Sequence, residues 1–380
     1  MLTVVQILYS GLGGQSSVFF SLVEADVLYS AETGAQRIAE HHAVFYGREA
    51  LVQDYANKCN ELGISCRHWL KGPGLDLRNQ WRIAKHVASL NPHVFIVHSP
   101  QWILAARLVK CFSPRCKIVA VEHHPNMLKT RGKWFLSAIL PWLSDSVVYL
   151  TQTYKRQVAS RTGPCFRPRR AQIIPNGVNV SRFCPADTYP ATGYTVGMAS
   201  RLSDQKDIDT LVRAFASLLA KHPDRPLMLR LAGDGDHRAA LVELAATLGI
   251  SDKIIFDGLL TEREMVGFYQ RLTLYVHATR SETMSTSVVQ ALSCGVPVIA
   301  SDIPGMSDIL PPATGAGSLV PVGDVHRLAE RMDALLTDTE TLSARATEAR
   351  QYVEESLSSR VSLMRYLNVV PVIDGHSDHR

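Results

Sequence analysis

The 380 residues predict a doubly wound α/β protein carried on two similar parallel sheets, and three features lead there. Apolar runs of strand length alternate with stretches of helical period along the chain, the pattern of strand, crossover helix, strand. The same plan starts again after residue 193, so a second sheet follows the first. The length also exceeds the ~250–300 residues that one hydrophobic core usually supports, which makes two domains the default.

In the first half, strand-like runs stand at VVQILYS (4–10), HAVFYG (42–47), ISCRHWL (64–70), HVFIVH (93–98), KIVAVEH (117–123), SVVYLT (146–151) and QIIP (172–175). Helical patterns such as REALVQDYANKCNELG and LRNQWRIAKHVASL separate them. The second half runs through YTVGMAS (194–200), LMLRLAG (227–233), KIIFDG (253–258), LYVHAT (274–279), VPVIAS (296–301) and SLVPV (318–322). Asn176-Gly177, Pro185 and Pro190 mark a turn and a stiff connection between the halves. The expected division is 1–178, 179–350, a C-terminal helix over 351–372 that crosses back to the first domain, and a solvated tail at 373–380.

Composition sets further bounds. Hydrophobic residues make up 46% and charged residues 20% of the chain, ordinary for a soluble enzyme, and no apolar run approaches the ~18 residues of a membrane span. The start lacks the basic and small-residue signals of a secretory leader. Seven cysteines form no CxxC pair and leave an odd one over, which fits a reducing cytoplasm with neither zinc nor a disulfide framework.

Net charge is +5 but uneven: residues 1–180 hold 21 Lys or Arg against 10 Asp or Glu, and residues 181–380 hold 19 against 25. Basic residues crowd 107–133 and 155–170. One reading is a solvated basic face; the other is attraction to an anionic surface. Lys129, Arg131 and Lys133 beside Trp134 and Phe135 suit a membrane interface better than a nucleic-acid groove, and no nucleic-acid reading motif accompanies them.

Ligands of open parallel sheets sit outside the carboxyl ends of the strands, so the loops that follow the strands carry the chemistry. After the first strand comes Gly11-Leu12-Gly13-Gly14-Gln15-Ser16; a dinucleotide fingerprint needs glycine where Ser16 stands, which leaves a glycine turn able to approach an anion. Arg201 follows a strand and Lys206 precedes a helix. They read as a solvated pair or as a diphosphate clamp, each charge worth about 4 kcal/mol at ~4 Å and an effective dielectric of ~20, before desolvation. Asp207-x-Asp209 opens a helix and Asp234-x-Asp236 lies in a glycine-rich turn. Both pairs read as helix-terminus acids, not as a metal site.

The stretch TRSETMSTSVVQALSCGVPVIASD (279–302) reads as a loop to Ser285, a helix over 286–294 stopped by Gly295, and a buried strand. Thr283, Ser285 and Thr286 would offer amides at the helix opening to phosphate. Glu282 and Gln290 lie on about the same side, where a carboxylate and an amide suit sugar hydroxyls.

With these residues in view, the chain resembles glycosyltransferase family 4, the retaining transferases of GT-B fold that use nucleotide-activated sugars. The resemblance rests on GMASRLSDQKDIDTLVRAF, LRLAGDGDHRAAL, KIIFDG and SETMSTSVVQALSCGVPVIASDIPGMSDIL, with GLGG, IVHSP, VAVEHHPN and IIPNGVN in the more divergent first half. It implies a GT-B pair of Rossmann-like domains, the first on the acceptor side and the second binding nucleotide-sugar.

The resemblance implies that Arg201 and Lys206 hold the donor diphosphate and that Glu282 lies near the sugar hydroxyls. It puts the amides of Thr283, Met284, Ser285 and Thr286 close to sugar and phosphate, and has Gly13 and Gly14 close over the diphosphate. His123 matches the site histidine, with His124 as its neighbouring alternative and His98 as either a second acceptor-side histidine or a core-edge one. Gln290 stands where the family has a ribose-binding Glu, and Thr283 where glycine is usual. An amide keeps the contact with a weaker grip.

The implied reaction is transfer of a hexose from a UDP- or GDP-sugar, with no metal or other cofactor, to a lipid-linked glycan during surface polysaccharide or lipopolysaccharide assembly. The enzyme would sit in the cytoplasm on the anionic inner face of the membrane, held by its basic first domain. An epimerase or hydrolase of the same fold, or an inactive sugar-nucleotide-binding homologue, are the competing readings.

Overall fold

The computed structural model describes residues 1–11, 14–72, 76–186 and 193–369. They form two units, one of Met1–Asn179 together with the segment from Ser359 onward, the other Val180–Ser358.

The first unit is a seven-stranded sheet of β1 (Leu2–Tyr9), β2 (Ala39–Gly47), β3 (Ser65–Leu70), β4 (Val94–Val97), β5 (Lys117–Glu122), β6 (Ser146–Tyr149) and β7 (Ala171–Ile173). The order is β3-β2-β1-β4-β5-β6-β7 and every pair is parallel. Helices cover both faces of a parallel sheet, so the central strands lose water on both sides and read as unbroken apolar runs. All four residues of β4, VFIV, are buried, whereas edge strand β3, SCRHWL, is exposed or half-buried throughout.

Helix Gly14–Thr33 leaves β1 and packs Phe19, Phe20 and Val23 against Leu8 and Phe45. Its fully buried Asp26 accepts hydrogen bonds from the backbone N–H of Ile38 (2.9 Å) and Ala39 (3.1 Å), tying the helix to the start of β2.

The second unit holds β8 (Tyr194–Ala199), β9 (Leu227–Ala232), β10 (Ile254–Gly258), β11 (Leu274–His277), β12 (Val298–Ser301) and β13 (Gly317–Val320). They pair in the order β10-β9-β8-β11-β12-β13, again all parallel. Helix Ile208–Lys221 sends Ile208, Leu211, Val212, Phe215 and Leu218 into a core with Leu229, Leu231, Val276 and Met332, the helical spacing of one apolar face. In both units the strand order reverses beside the first strand, between β1 and β4 and between β8 and β11. Neighbouring loops diverge there and a crevice opens at the carboxyl ends of the strands.

The end of the chain differs in detail from the expected helix over 351–372. Helix Thr339–Tyr352 runs into a π-turn at Val353–Leu357, Ser358 is extended (φ −70°, ψ 152°), and a separate helix, Ser359–Val369, belongs to the first unit. The break is held from outside: the N–H of Ser359 donates to Val178 O (2.8 Å) and Ser362 Oγ to Pro175 O (2.9 Å). The last helix packs along helix Gly14–Thr33, with Arg360 paired to Glu32 at 2.9 Å. The tail at 373–380 and Pro190 lie outside the described residues, and no helix among those described is long and apolar enough to cross a membrane.

Candidate active site

In the second unit, the loops after β8 and β11 flank the reversal of strand order and are laced together. Arg280 donates from its N–H to Gln205 O (2.9 Å), from Nη1 to Asp204 O (2.9 Å) and from Nη2 to Asp207 Oδ1 (2.8 Å). Asp207 is buried, and its other oxygen accepts from the N–H of Gly323 (2.9 Å). Its role is a staple between loops, not the helix-dipole complement expected from its position. Asp209 is taken by His237 Nε2 at 2.8 Å. Among the described residues no group of three or more His, Cys, Asp or Glu is arranged to hold a metal ion.

This lacing brings Lys206 and Glu282 together: Nζ donates to Oε2 at 2.5 Å. An ammonium has three donors, so two remain for another anion. His277, at the end of β11 and 1% exposed, aims Nε2 at the same oxygen from 3.6 Å, while its Nδ1 lies 3.2 Å from the Tyr275 hydroxyl. That hydroxyl also donates to Ala199 O (3.1 Å), so the imidazole is anchored to the end of β8. Burial alone would push the Glu282 carboxyl up, but the Lys206 ammonium and His277 outweigh it and hold the carboxyl down at about 2. Glu282 is therefore a carboxylate at any physiological pH. Burial, with Lys206 nearby, lowers His277. Sequence reasoning quoted this histidine inside LYVHAT without assigning it a role; its signal was a titratable residue ending an otherwise apolar strand.

Arg201 is exposed and makes no side-chain hydrogen bond or ion pair with the described residues. Its backbone is nonetheless fixed, because Ser200 N–H donates to Ala232 O (3.0 Å) and Leu202 N–H to Asp234 O (3.0 Å). The turn after β9 comes this close only because Gly233 has no side chain: at φ +122° a Cβ would stand 1.9 Å from Ser200 O. The result is a free guanidinium on a rigid stem.

The helix after β11 is Thr286–Ser293, one residue shorter than expected, with Cys294 as its C-cap. Ser285 Oγ accepts from Val288 N–H (3.3 Å), and Thr283, Met284 and Ser285 are buried. The side chain of Ser285 is thus spent on the cap. What the helix start offers an anion is the first-turn N–H groups of Thr286 and Ser287, which have no partner within the helix. Gln290 is buried, and its Oε1 accepts from the Tyr269 hydroxyl at 3.1 Å. The structure does not join it to Glu282, so the pair eight positions apart is divided between the Lys206 cluster and a core tyrosine.

In the first unit, Gly13 lies outside the described residues, and Gly14 opens helix Gly14–Thr33 as an exposed residue. The two histidines after β5 separate. His123 turns to the β1–β4 reversal, where its Nε2 lies 2.9 Å from Nδ1 of His98. His124 turns into its own loop, with Nε2 between Leu128 O (3.2 Å) and Lys133 Nζ (2.8 Å). Burial lowers both, His123 to about 4.

Below them Glu122, wholly buried, is bonded at Oε2 to Lys129 Nζ (2.8 Å) and the Tyr154 hydroxyl (3.0 Å). Lys129 also donates to Ser137 Oγ (2.8 Å) and faces the rings of Trp134 and Tyr154 at 4.8 and 5.1 Å. Lys129 and Trp134 therefore leave the basic surface that the sequence assigned them to. A buried carboxylate draws the ammonium inward because neither charge is tolerated alone in a low-dielectric interior. Arg107, Arg115, Arg131, Lys133, Arg161 and Arg169 remain exposed, near in sequence to exposed Met127, Phe135 and Trp142.

The fold is a pair of Rossmann-like parallel-sheet units, and comparison with known proteins gives it a family. The family described as "Glycosyltransferase Family 4" matches residues 26–182, and "Glycosyl transferases group 1" matches residues 187–352. The chain belongs to the GT-B glycosyltransferases of family 4 type.

A relative from Corynebacterium glutamicum, a GDP-mannose-dependent monoacylated alpha-(1-6)-phosphatidylinositol monomannoside mannosyltransferase, is 28% identical over 60% of this chain and 62% of its own length. The D-inositol 3-phosphate glycosyltransferase of Nocardia farcinica is 31% identical over 72% of this chain and 57% of its own. The chain spans about three fifths of the length of these curated relatives. Among solved structures, Anabaena HepE in complex with UDP and glucose superposes with a TM-score of 0.79 at 17% identity, over 98% of this chain and 100% of that one. TarM of Staphylococcus aureus, in complex with fondaparinux, alpha-GlcNAc-glycerol and UDP, gives 0.73 at 11% over 98% and 100%. At these identities the structural likeness is one of fold.

Proposed function

We propose that the protein is a retaining hexosyltransferase that moves a sugar from a UDP- or GDP-sugar to a lipid-linked glycan acceptor in surface polysaccharide assembly, without a metal ion. The observation that carries the reading is the Lys206–Glu282 ion pair at the β8–β11 reversal, with the exposed guanidinium of Arg201 in the same loop as Lys206. The two cations of the loop after β8 and the N–H groups of Thr286 and Ser287 after β11 are donors suited to a diphosphate, and a carboxylate held ionised is suited to sugar hydroxyls.

In the reaction the bond between the anomeric carbon and the diphosphate oxygen breaks, and the leaving charge is met by Arg201 and Lys206. The acceptor hydroxyl bonds to the same face of the carbon and passes its proton to the departing phosphate. Glu282 orients the sugar and Gln290 holds the ribose, and the family resemblance adds Gly13, Gly14 and His123 as site residues. A relative named for GDP-mannose and neighbours holding UDP support a nucleotide-sugar donor of either base. The exposed cations with Phe135 and Trp142 support an anionic membrane face in the cytoplasm as the working location.

The test is a donor panel of UDP- and GDP-sugars read by thermal shift, followed by turnover with and without EDTA. A nucleoside diphosphate sugar at 100 times its Kd raises stability by about 2.7 kcal/mol. No shift with any donor, or activity abolished by EDTA and restored by a divalent cation, rejects the reading.

A further inference from the structure

At the end of the first sheet opposite its crevice, the loops that lead into two central strands enclose a recess of about 440 Å³. One loop, Asn91-Pro92-His93, precedes β4, and the other, Phe112-Ser113-Pro114-Arg115-Cys116, precedes β5. Backbone bonds fix both loops. The N–H of His93 donates to Thr3 O (2.9 Å), that of Lys117 to His93 O (2.8 Å) and that of Cys116 to Ser113 O (3.0 Å). The His93 ring is set as well: the Thr3 N–H donates to its Nδ1 at 2.9 Å, and because a backbone N–H only donates, the ring proton sits on Nε2.

That Nε2–H bonds to no described residue, and neither do the guanidinium of exposed Arg115 or the side-chain amide of Asn91. No acidic side chain lines the recess, so its uncommitted donors favour an anion. Buried Cys116 at the base adds no charge, since burial pushes its thiol up to about 12. The walls are apolar: the Phe112 ring, 52% exposed, stands with Pro92 and Pro114. The volume falls within the ~300–1,000 Å³ of small-molecule sites, room for more than an inorganic ion.

We propose that this recess is a binding site, separate from the donor site, for a small organic anion: a carboxylate or phosphate monoester carried on a flat apolar group. Arg115 meets the anion with two parallel N–H groups, the geometry in which a guanidinium binds carboxylate or phosphate. His93 Nε2–H adds a further donor from a ring that cannot turn without losing Thr3, and Phe112 covers the apolar part. The six residues of β5, at ~3.3 Å each, separate the recess from His123 at the far end of that strand. The inference concerns the first unit alone and does not depend on the transferase reading.

The test is a titration of the full chain, labelled with 15N-histidine, with phenyl phosphate at pH 7. Long-range proton–nitrogen correlation follows the His93 ring, assigned with His93→Gln. The expected result is a saturable shift of His93 Nε2 with a Kd of ~1 mM or below, which excess UDP does not reverse. Arg115→Ala and Phe112→Ser, both at exposed positions, each weaken binding at least fivefold. Benzoate replaces phenyl phosphate, whereas phenol and inorganic phosphate, each offering half of the ligand, bind at least tenfold more weakly. No shift at ~10 mM phenyl phosphate, equal binding of phenol or inorganic phosphate, unchanged affinity in Arg115→Ala, or displacement by UDP overturns the proposal.

Discussion

Lys206 spends one N–H on Glu282 and, in the proposed reaction, offers the other two to the leaving diphosphate. Removing one preorganised donor from a developing charge typically costs ~3 kcal/mol. Lys206→Ala therefore lowers turnover about a hundredfold, and it leaves Glu282 with His277 alone. Turnover within a few-fold of wild type would take Lys206 out of the reaction. Gln290 presents a different balance, because Tyr269 already occupies its oxygen. Gln290→Ala weakens nucleoside diphosphate binding about tenfold and costs ~1 kcal/mol of stability by removing the amide acceptor of the buried Tyr269 hydroxyl. Tyr269→Phe is the control, losing the inner bond only; unchanged UDP and GDP affinity in Gln290→Ala would end the ribose role. From the sequence, Arg201, Lys206 and Glu282 were legible as charge types in loops after strands. His277 was not, because a histidine inside a strand pattern reads as a core residue until its neighbours are known.

At the scale of elements, the loops after the strands are rigid because they brace one another. The short turn after β12 shows it: a Cβ on Gly305 would stand 2.5 Å from Glu282 O and 2.6 Å from Thr283 O. Gly305→Ala pushes that loop outward and separates Glu282 from Lys206, lowering kcat at least tenfold, which steady-state kinetics with the best donor measures. The loop after β5 is braced from beneath by the Glu122–Lys129–Tyr154 group. Lys129→Met leaves a buried carboxylate without its cation, a change that typically costs ~3–5 kcal/mol, and denaturant unfolding reads it. The double change Glu122→Leu with Lys129→Met recovers most of that loss. Gly305 meets Glu282, and Tyr154 meets Glu122, only in the fold, which is why neither brace was legible in the chain.

At the scale of the whole molecule, pH acts through two windows. His98 and His123 are depressed below the ordinary value of about 6.5, so as pH falls the unfolded chain takes up protons first. Stability is intact above about 6.5 and falls as pH drops toward about 4. Glu282 is a depressed carboxyl: its contribution is present above its unfolded value of 4.5 and lost as pH falls through about 2. A pH series of denaturant midpoints should show the upper window flattened in the His98→Asn, His123→Asn double variant and the lower window unchanged. An unaltered slope between 6.5 and 4 would contradict the buried neutral pair. Sedimentation with anionic vesicles exceeds that with neutral ones, and Phe135→Ser with Trp142→Ser reduces it several-fold; equal pelleting on neutral lipid rejects the electrostatic part.

The alternation of strand and helix, the two sheets and the loops that carry the charges were determined by the sequence alone. Hydrophobic periodicity and glycine or proline punctuation are local properties that a chain displays without folding. The tertiary structure alone decided what those charges do. Lys129 went inward to Glu122, Asp207 became a staple instead of a helix-end acid, and Gln290 turned its oxygen to Tyr269. Each outcome depends on burial and on a partner that only the fold brings close, and a buried charge takes its role from whichever group shares its low-dielectric surroundings.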